Sequence, residues 1–153
     1  MVVLFVCTGN TCRSPMAELF FKTETVRREM PDLVVRSAGL AACTNTPISD
    51  NAFAVMAKNG IDASQFRSTR VSVELLSQCD LIVTMTDSHR RTICNALPEY
   101  ESKCFRLLDF TSGGDVPDPF GGTAADYEAV FETMRPALLA LADKINKEKF
   151  FNL

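Results

Sequence analysis

Apolar positions along the chain follow two alternating periods. "VVLFV" (residues 2–6) is an unbroken apolar run, the pattern of a parallel strand buried on both faces. "PMAELFFKTETVRREM" follows, with Met16, Leu19, Phe20, Val26 and Met30 near helical spacing and Pro15 suited to a first turn. "LVVRSAG" (33–39) predicts a second strand ended by Gly39. "PISDNAFAVMAKNG" predicts a helix with Ala52, Val55 and Met56 on one face and Gly60 at its C-terminal cap. "VSVELLSQ" reads as a short helix, "DLIVTM" (80–85) as a third strand, and "DSHRRTICNAL" as a helix with Asp87 near its cap. "CFRLL" (104–108) predicts a fourth strand, and the Gly-, Pro- and Asp-rich "DFTSGGDVPDPFGG" a loop. A long helix closes the chain. Thr123 and Asp126 stand at capping-box spacing, Val130, Phe131, Met134, Leu138, Leu141 and Ile145 form a stripe, and Pro136 predicts a kink. Strands alternating with helices predict a three-layer α/β sandwich with a four-stranded parallel sheet and right-handed crossovers, one domain over residues 1–153.

Bulk properties narrow the function classes. A chain of 153 residues, 46% hydrophobic and 23% charged, can bury its own core. A net charge of −3 points to neither nucleic acid nor a membrane surface. "MVVLFV" is too short for a signal-peptide core or a membrane span, so a cytoplasmic location is expected. Six cysteines without an export signal read as reduced thiols. No Cys-x-x-Cys occurs and His89 is the only histidine, which argues against a thiolate–imidazole zinc site. The apolar "FFNL" at the C-terminus hints at association without defining an oligomeric state.

The chemistry concentrates in "CTGNTCRSPMAE" (residues 7–18), between the first strand and the first helix. Ligands bind outside the carboxyl ends of such strands. The loop from Cys7 through Thr8, Gly9, Asn10, Thr11 and Cys12 to Ser14 can turn several N–H groups toward one tetrahedral anion. Gly9 permits positive φ and close backbone approach, and Asn10 is among the few other residues that tolerate it. Arg13 adds a fork of donors for two phosphate oxygens. A thiol beside a helix N-terminus and a guanidinium ionises more readily than a free one. Cys7 thereby becomes a candidate nucleophile for a phosphocysteine intermediate, with Ser14 as a donor to its sulfur. Asp118, held between Pro117 and Pro119, is the preferred acid and base, and Asp115 its competitor. His89 is expected to be exposed on a helix with two arginines.

With these motifs in hand, the chain resembles the low-molecular-weight protein tyrosine phosphatases over essentially its whole length. "CTGNTCRSPMAE" matches the phosphate loop, "RSAG" the second-strand motif, "DLIVTM" the third strand and "DPF" the acid loop. The resemblance implies Cys7 as nucleophile, Arg13 as transition-state ligand and Asp118 as acid and base. It also implies that Asn10, Ser14 and Ser37 hold the loop, that phosphorylated proteins are the substrates, and that neither metal nor other cofactor is needed. Thr11 stands where tyrosine-directed members carry a bulky aliphatic residue, and Gly121 follows Phe120 where they place a second aromatic. Both features are similar to the protein-arginine-phosphatase branch, which makes Thr11, Phe120 and Gly121 the candidate specificity residues. A phosphoguanidinium brings N–H donors that need acceptors, and the Thr11 hydroxyl and Asp118 carboxylate are available. Phosphotyrosine is the alternative substrate. Phe66 replaces a histidine that supports the loop in many members. Members with both Cys7 and Cys12 can form a reversible disulfide; equally, Cys12 is a small buried thiol. Cys43, Cys79, Cys94 and Cys104 read as packing or surface thiols. An arsenate reductase would need relay cysteines that "LIVTMTDSH" lacks, and a silent binding module would have lost part of the Cys–Arg–Asp set.

Overall fold

A computed structural model describes the chain through Phe151 and side chains through Glu148. The side chains of the "FFNL" segment lie outside the described residues. Four strands, β1 (Val2–Cys7), β2 (Val34–Gly39), β3 (Leu81–Thr84) and β4 (Cys104–Arg106), form one parallel sheet in the order β2-β1-β3-β4. The helices are α1 (Arg13–Arg27), α2 (Asp50–Lys58), α3 (Val73–Ser77), α4 (Asp87–Ala96) and α5 (Ala124–Phe151). This is the predicted three-layer architecture. The chain leaves β1 toward β2 on one side and returns to β3 on the other, so the crevice of the sheet opens at the carboxyl end of β1.

Alternation along β1 divides the core in two. Val3, Phe5 and Cys7 face the side built by α1, α2 and α5; Leu4 and Val6 face Leu76 of α3 and Ile93 of α4. Phe5 and Phe21 meet edge to face with centroids 5.4 Å apart, tying α1 to the sheet. All six apolar residues of the predicted α5 stripe are buried, and the helix runs unbroken through Pro136. Its start is a reciprocal cap: Thr123 N–H donates to Asp126 Oδ2 at 2.8 Å, and Asp126 N–H to Thr123 Oγ1 at 3.3 Å.

Several local expectations differ. Val26 is exposed, because the buried face of α1 rests on Met16, Ala17, Phe20 and Phe21 instead. β4 stops at Arg106, and a 3-10 turn follows over Leu107–Phe110, stapled by Arg106 to Asp109. Asp87 stands beside the α4 cap as expected, and the capping residue itself is Thr86, its hydroxyl accepting from His89 N–H. Among the described residues no helix is long and apolar enough to cross a membrane.

Candidate active site

Cys7 ends β1 and α1 begins at Arg13, so five residues turn around the sheet edge between them. The left-handed step of that turn falls on Asn10, at φ 54°. Of the two residues able to take positive φ, Asn10 does so and Gly9 does not, and a Cβ on Gly9 would meet only Thr11 Oγ1 at 3.7 Å. Neither backbone nor packing demands glycine at that position. Asn10 holds the turn because every polar atom of its side chain is used. Its Oδ1 accepts from Thr69 N–H at 2.8 Å, which fixes the amide orientation. Its Nδ2 donates to Ser14 Oγ at 2.8 Å and to Ser37 Oγ at 2.9 Å.

That orientation sets the direction of the next bonds. Ser37 accepts from Asn10 and gives its proton to the Glu18 carboxylate, which can only accept. Ser14 also accepts from Asn10, so its own proton is free for Cys7 Sγ, 2.8 Å away. Asn10 N–H reaches the same sulfur at 3.3 Å. Two donors therefore converge on a buried thiol that is 3% exposed. Such a pair stabilises negative charge on sulfur. The N–H groups of Arg13 and Ser14, in the first turn of α1, have no partner within the helix. They add to the anion-binding character of the loop.

At the rim, the Arg13 guanidinium is 4% exposed; Nη1 donates to Val116 C=O at 3.0 Å and Nη2 lies 3.6 Å from Asp118 Oδ2. Val116 N–H in turn donates to Met85 C=O at 2.9 Å. The acid loop is thus tied both to the end of β3 and to the arginine. Asp118 is open to solvent, 55% exposed, with Oδ1 accepting from Phe120 N–H at 3.1 Å. Phe120 projects from the rim at 80% exposure. Cys7, Thr8, Gly9, Asn10, Thr11, Cys12, Arg13, Asp118 and Phe120 line one cavity of about 260 Å³. Asp115 points elsewhere: it accepts from Asp87 N–H at 2.8 Å and lies 3.8 Å from Arg106. It clips the loop to α4, and of the two aspartates Asp118 is the one that lines the cavity with Cys7.

Gly121, at φ 77°, has open space around its absent Cβ and does not line the cavity. The Cys12 sulfur lies 3.2 Å from Tyr127 Oη and 3.4 Å from Ser49 Oγ. Burial, then the contact with Cys12, pushes the Tyr127 phenol up to about 12. Among the described residues, no cluster of three or more His, Cys, Asp or Glu side chains is placed to hold a metal ion.

Sequence reasoning missed four supports. Glu18 anchors Ser37 from the second turn of α1, and Thr69 reaches Asn10 from a loop fifty-nine residues away. Gly39 lies so close that a Cβ would stand 2.5 Å from Thr8 C=O and 2.9 Å from Asn10 N. Its place at the end of "RSAG" was a signal, since β2 pairs beside β1 and brings Gly39 opposite Cys7. His89 is the fourth, and the expectation of exposure fails: it is buried, with Nε2 2.8 Å from Thr8 Oγ1. The cap at Thr86 turns that face of α4 inward over the loop. Phe66 is buried in the core, and Asn10 finds its partners without an imidazole there.

A thiol beneath converging donors, with a guanidinium and a carboxylate at one rim, is the layout of a cysteine-based phosphatase. The family model described as low molecular weight phosphotyrosine protein phosphatase matches residues 2–150, and the chain belongs to that family. It is 37% identical over 151 residues to a protein-arginine-phosphatase of Bacillus subtilis, covering 97% of this chain and 99% of the relative. It is 31% identical to the low molecular weight protein-tyrosine-phosphatase Wzb of Salmonella typhi, covering 96% and 95%. Among solved structures, a cysteine-to-serine mutant of the YwlE arginine phosphatase with a phosphorylated active-site serine superposes with a TM-score of 0.90. It shares 36% identity, covering 96% of this chain and 97% of that one.

Proposed function

We propose that this phosphatase removes phosphate from arginine side chains of proteins through a covalent phosphocysteine on Cys7. The observation that carries the reading is the directed path Asn10–Ser14–Cys7, which aims a hydroxyl proton at the sulfur. In the first step Cys7 Sγ attacks phosphorus while the loop amides and Arg13 hold its oxygens. The P–N bond breaks, and its electron pair goes to the guanidine nitrogen, which takes the proton of Asp118. In the second step the Asp118 carboxylate takes a proton from water, and the water oxygen attacks phosphorus. The S–P bond breaks, its pair returns to a sulfur stabilised by Ser14, and inorganic phosphate leaves. Solvent exposure of Asp118 lets one carboxyl serve in both steps.

The arginine preference rests on Thr11. Among the described residues its hydroxyl has only a 3.8 Å contact with Cys12 Sγ, which leaves it available to the N–H groups of a phosphoguanidinium. The relative from Bacillus subtilis, named an arginine phosphatase, supports the same substrate class. One feature favours phosphotyrosine instead: the exposed Phe120 ring offers a face on which a phenol could stack. Turnover of phosphoarginine and phosphotyrosine peptides by wild type and Thr11→Ile separates the two. A shift of the ratio toward phosphotyrosine in the isoleucine variant is expected; an unchanged ratio overturns the arginine reading. Cys7→Ser is expected to lower turnover of para-nitrophenyl phosphate by about 10⁴-fold or more.

A further inference from the structure

His89 is a buried titratable side chain that the two steps above do not use. Its ring is 7% exposed; Nε2 lies 2.8 Å from Thr8 Oγ1, and Nδ1 is buried without a hydrogen-bond partner among the described residues. Burial first, and the nearby Arg13 charge second, hold the imidazole down at about 4, while Asp115 and Asp118 act weakly the other way. At neutral pH the ring therefore carries one proton. If that proton sat on Nδ1, a donor would be buried with nothing to receive it, and orphaned buried N–H groups are rarer than orphaned acceptors. Placing it on Nε2 leaves only an unused lone pair.

The tautomer decides what Thr8 does. With Nε2–H donating, Thr8 Oγ1 accepts and keeps its own proton. Thr8 is exposed and lines the cavity above Cys7, and its Oγ1 has no other partner among the described residues. We propose that His89 is a positioning residue whose Nε2–H locks the Thr8 side chain so that its hydroxyl donates to an oxygen of the bound phosphoryl group. This rests on the reading of the Cys7 loop as the phosphate site. It adds a side-chain donor to the amide groups and Arg13, controlled from α4 on the opposite side of the sheet.

Two measurements test it. Because His89 is the only histidine in the chain, nitrogen chemical shifts of histidine-labelled protein near pH 7 report its tautomer directly. Protonated Nε2 is expected; protonated Nδ1 overturns the proposal. In steady-state kinetics, Thr8→Val and His89→Leu are each expected to lower kcat/KM and to weaken inhibition by inorganic phosphate, by about tenfold. The double variant should lose no more than either alone, and Thr8→Ser, which retains the hydroxyl, should recover most of the phosphate inhibition that Thr8→Val loses. Additive losses, or a Thr8→Val variant with unchanged phosphate inhibition, overturn the proposal. Thr8→Val keeps the side chain's shape, so that result stands even if His89→Leu folds poorly. Loss of activity in Cys7→Ser with silent Thr8→Val would sink this inference alone; activity surviving in Cys7→Ser would sink the reading beneath it.

Discussion

The two loops that form the site are built in opposite ways. The phosphate loop is buried and cross-linked: Asn10, Ser14 and Ser37 pass hydrogen bonds from Thr69 to Glu18 and Cys7. The acid loop is open, with Gly113, Gly114 and Gly121 at positive φ and both Asp118 and Phe120 facing solvent. Its base is tied down through Val116 and Asp115, and its tip is held by the longer Arg13–Asp118 and Asn51–Gly122 contacts. The difference follows the chemistry. A phosphoryl group is the same in every substrate, so donors for it can be fixed in advance and cost no reorganisation during reaction. The leaving group varies, and the acid must trade protons with water between steps.

Substitutions on the two loops should therefore fail differently. After Cys7→Ser, the largest effect expected is from Asp118→Asn, which should lower kcat by about 10²–10⁴-fold while leaving urea unfolding unchanged. A matching loss of stability would mean that the acid loop is structural as well as chemical. Gly39→Ala tests the other loop. Its Cβ would strike backbone at 2.5 and 2.9 Å, and overpacking of this kind costs about 1–3 kcal/mol. Stability and activity should fall together, as seen by unfolding and by para-nitrophenyl phosphate turnover. Ser14→Ala removes the donor to sulfur and should slow the second step by about tenfold. Phosphoenzyme should accumulate under quench, whereas Asp118→Asn slows both steps.

The smallest expected effect is one of pH. The His89 imidazole is held at about 4 in the folded chain, against 6.5 for an ordinary histidine. Between these values the unfolded chain binds the extra proton, so the His89 contribution is complete above pH 6.5 and is lost as pH falls toward 4. The stability difference between wild type and His89→Gln, measured by urea unfolding from pH 7 to pH 4.5, should shift against wild type on acidification. A difference independent of pH would mean that His89 is not held neutral.

Much of this was legible in the chain because its signals are local. Unbroken apolar runs give buried parallel strands, and Cys7 and Arg13 are brought together by one short turn whatever the rest does. Asp118 was reachable because its loop follows the fourth strand and so returns to the same rim. Errors arose where a neighbour distant in sequence decided the outcome. His89 was expected to meet solvent, and it is buried because the cap at Thr86 turns its face of α4 onto Thr8, a residue far away in the chain. Val26 obeys the helical period yet meets solvent, because the period does not say how far along α1 the neighbouring layer extends.

The sheet, the thiol–guanidinium loop and the return of the Asp118 segment to the same rim could all be read from the chain alone, since each depends on hydrophobic period or on the order of the strands. It took the folded chain to show that Thr69 and Glu18 anchor the loop network, that Gly39 leaves room for the loop, and that His89 is buried against Thr8. Those outcomes depend on which surfaces the parallel crossovers bring into contact, and on hydrogen-bond directions that are settled only when every donor in the network has found its acceptor.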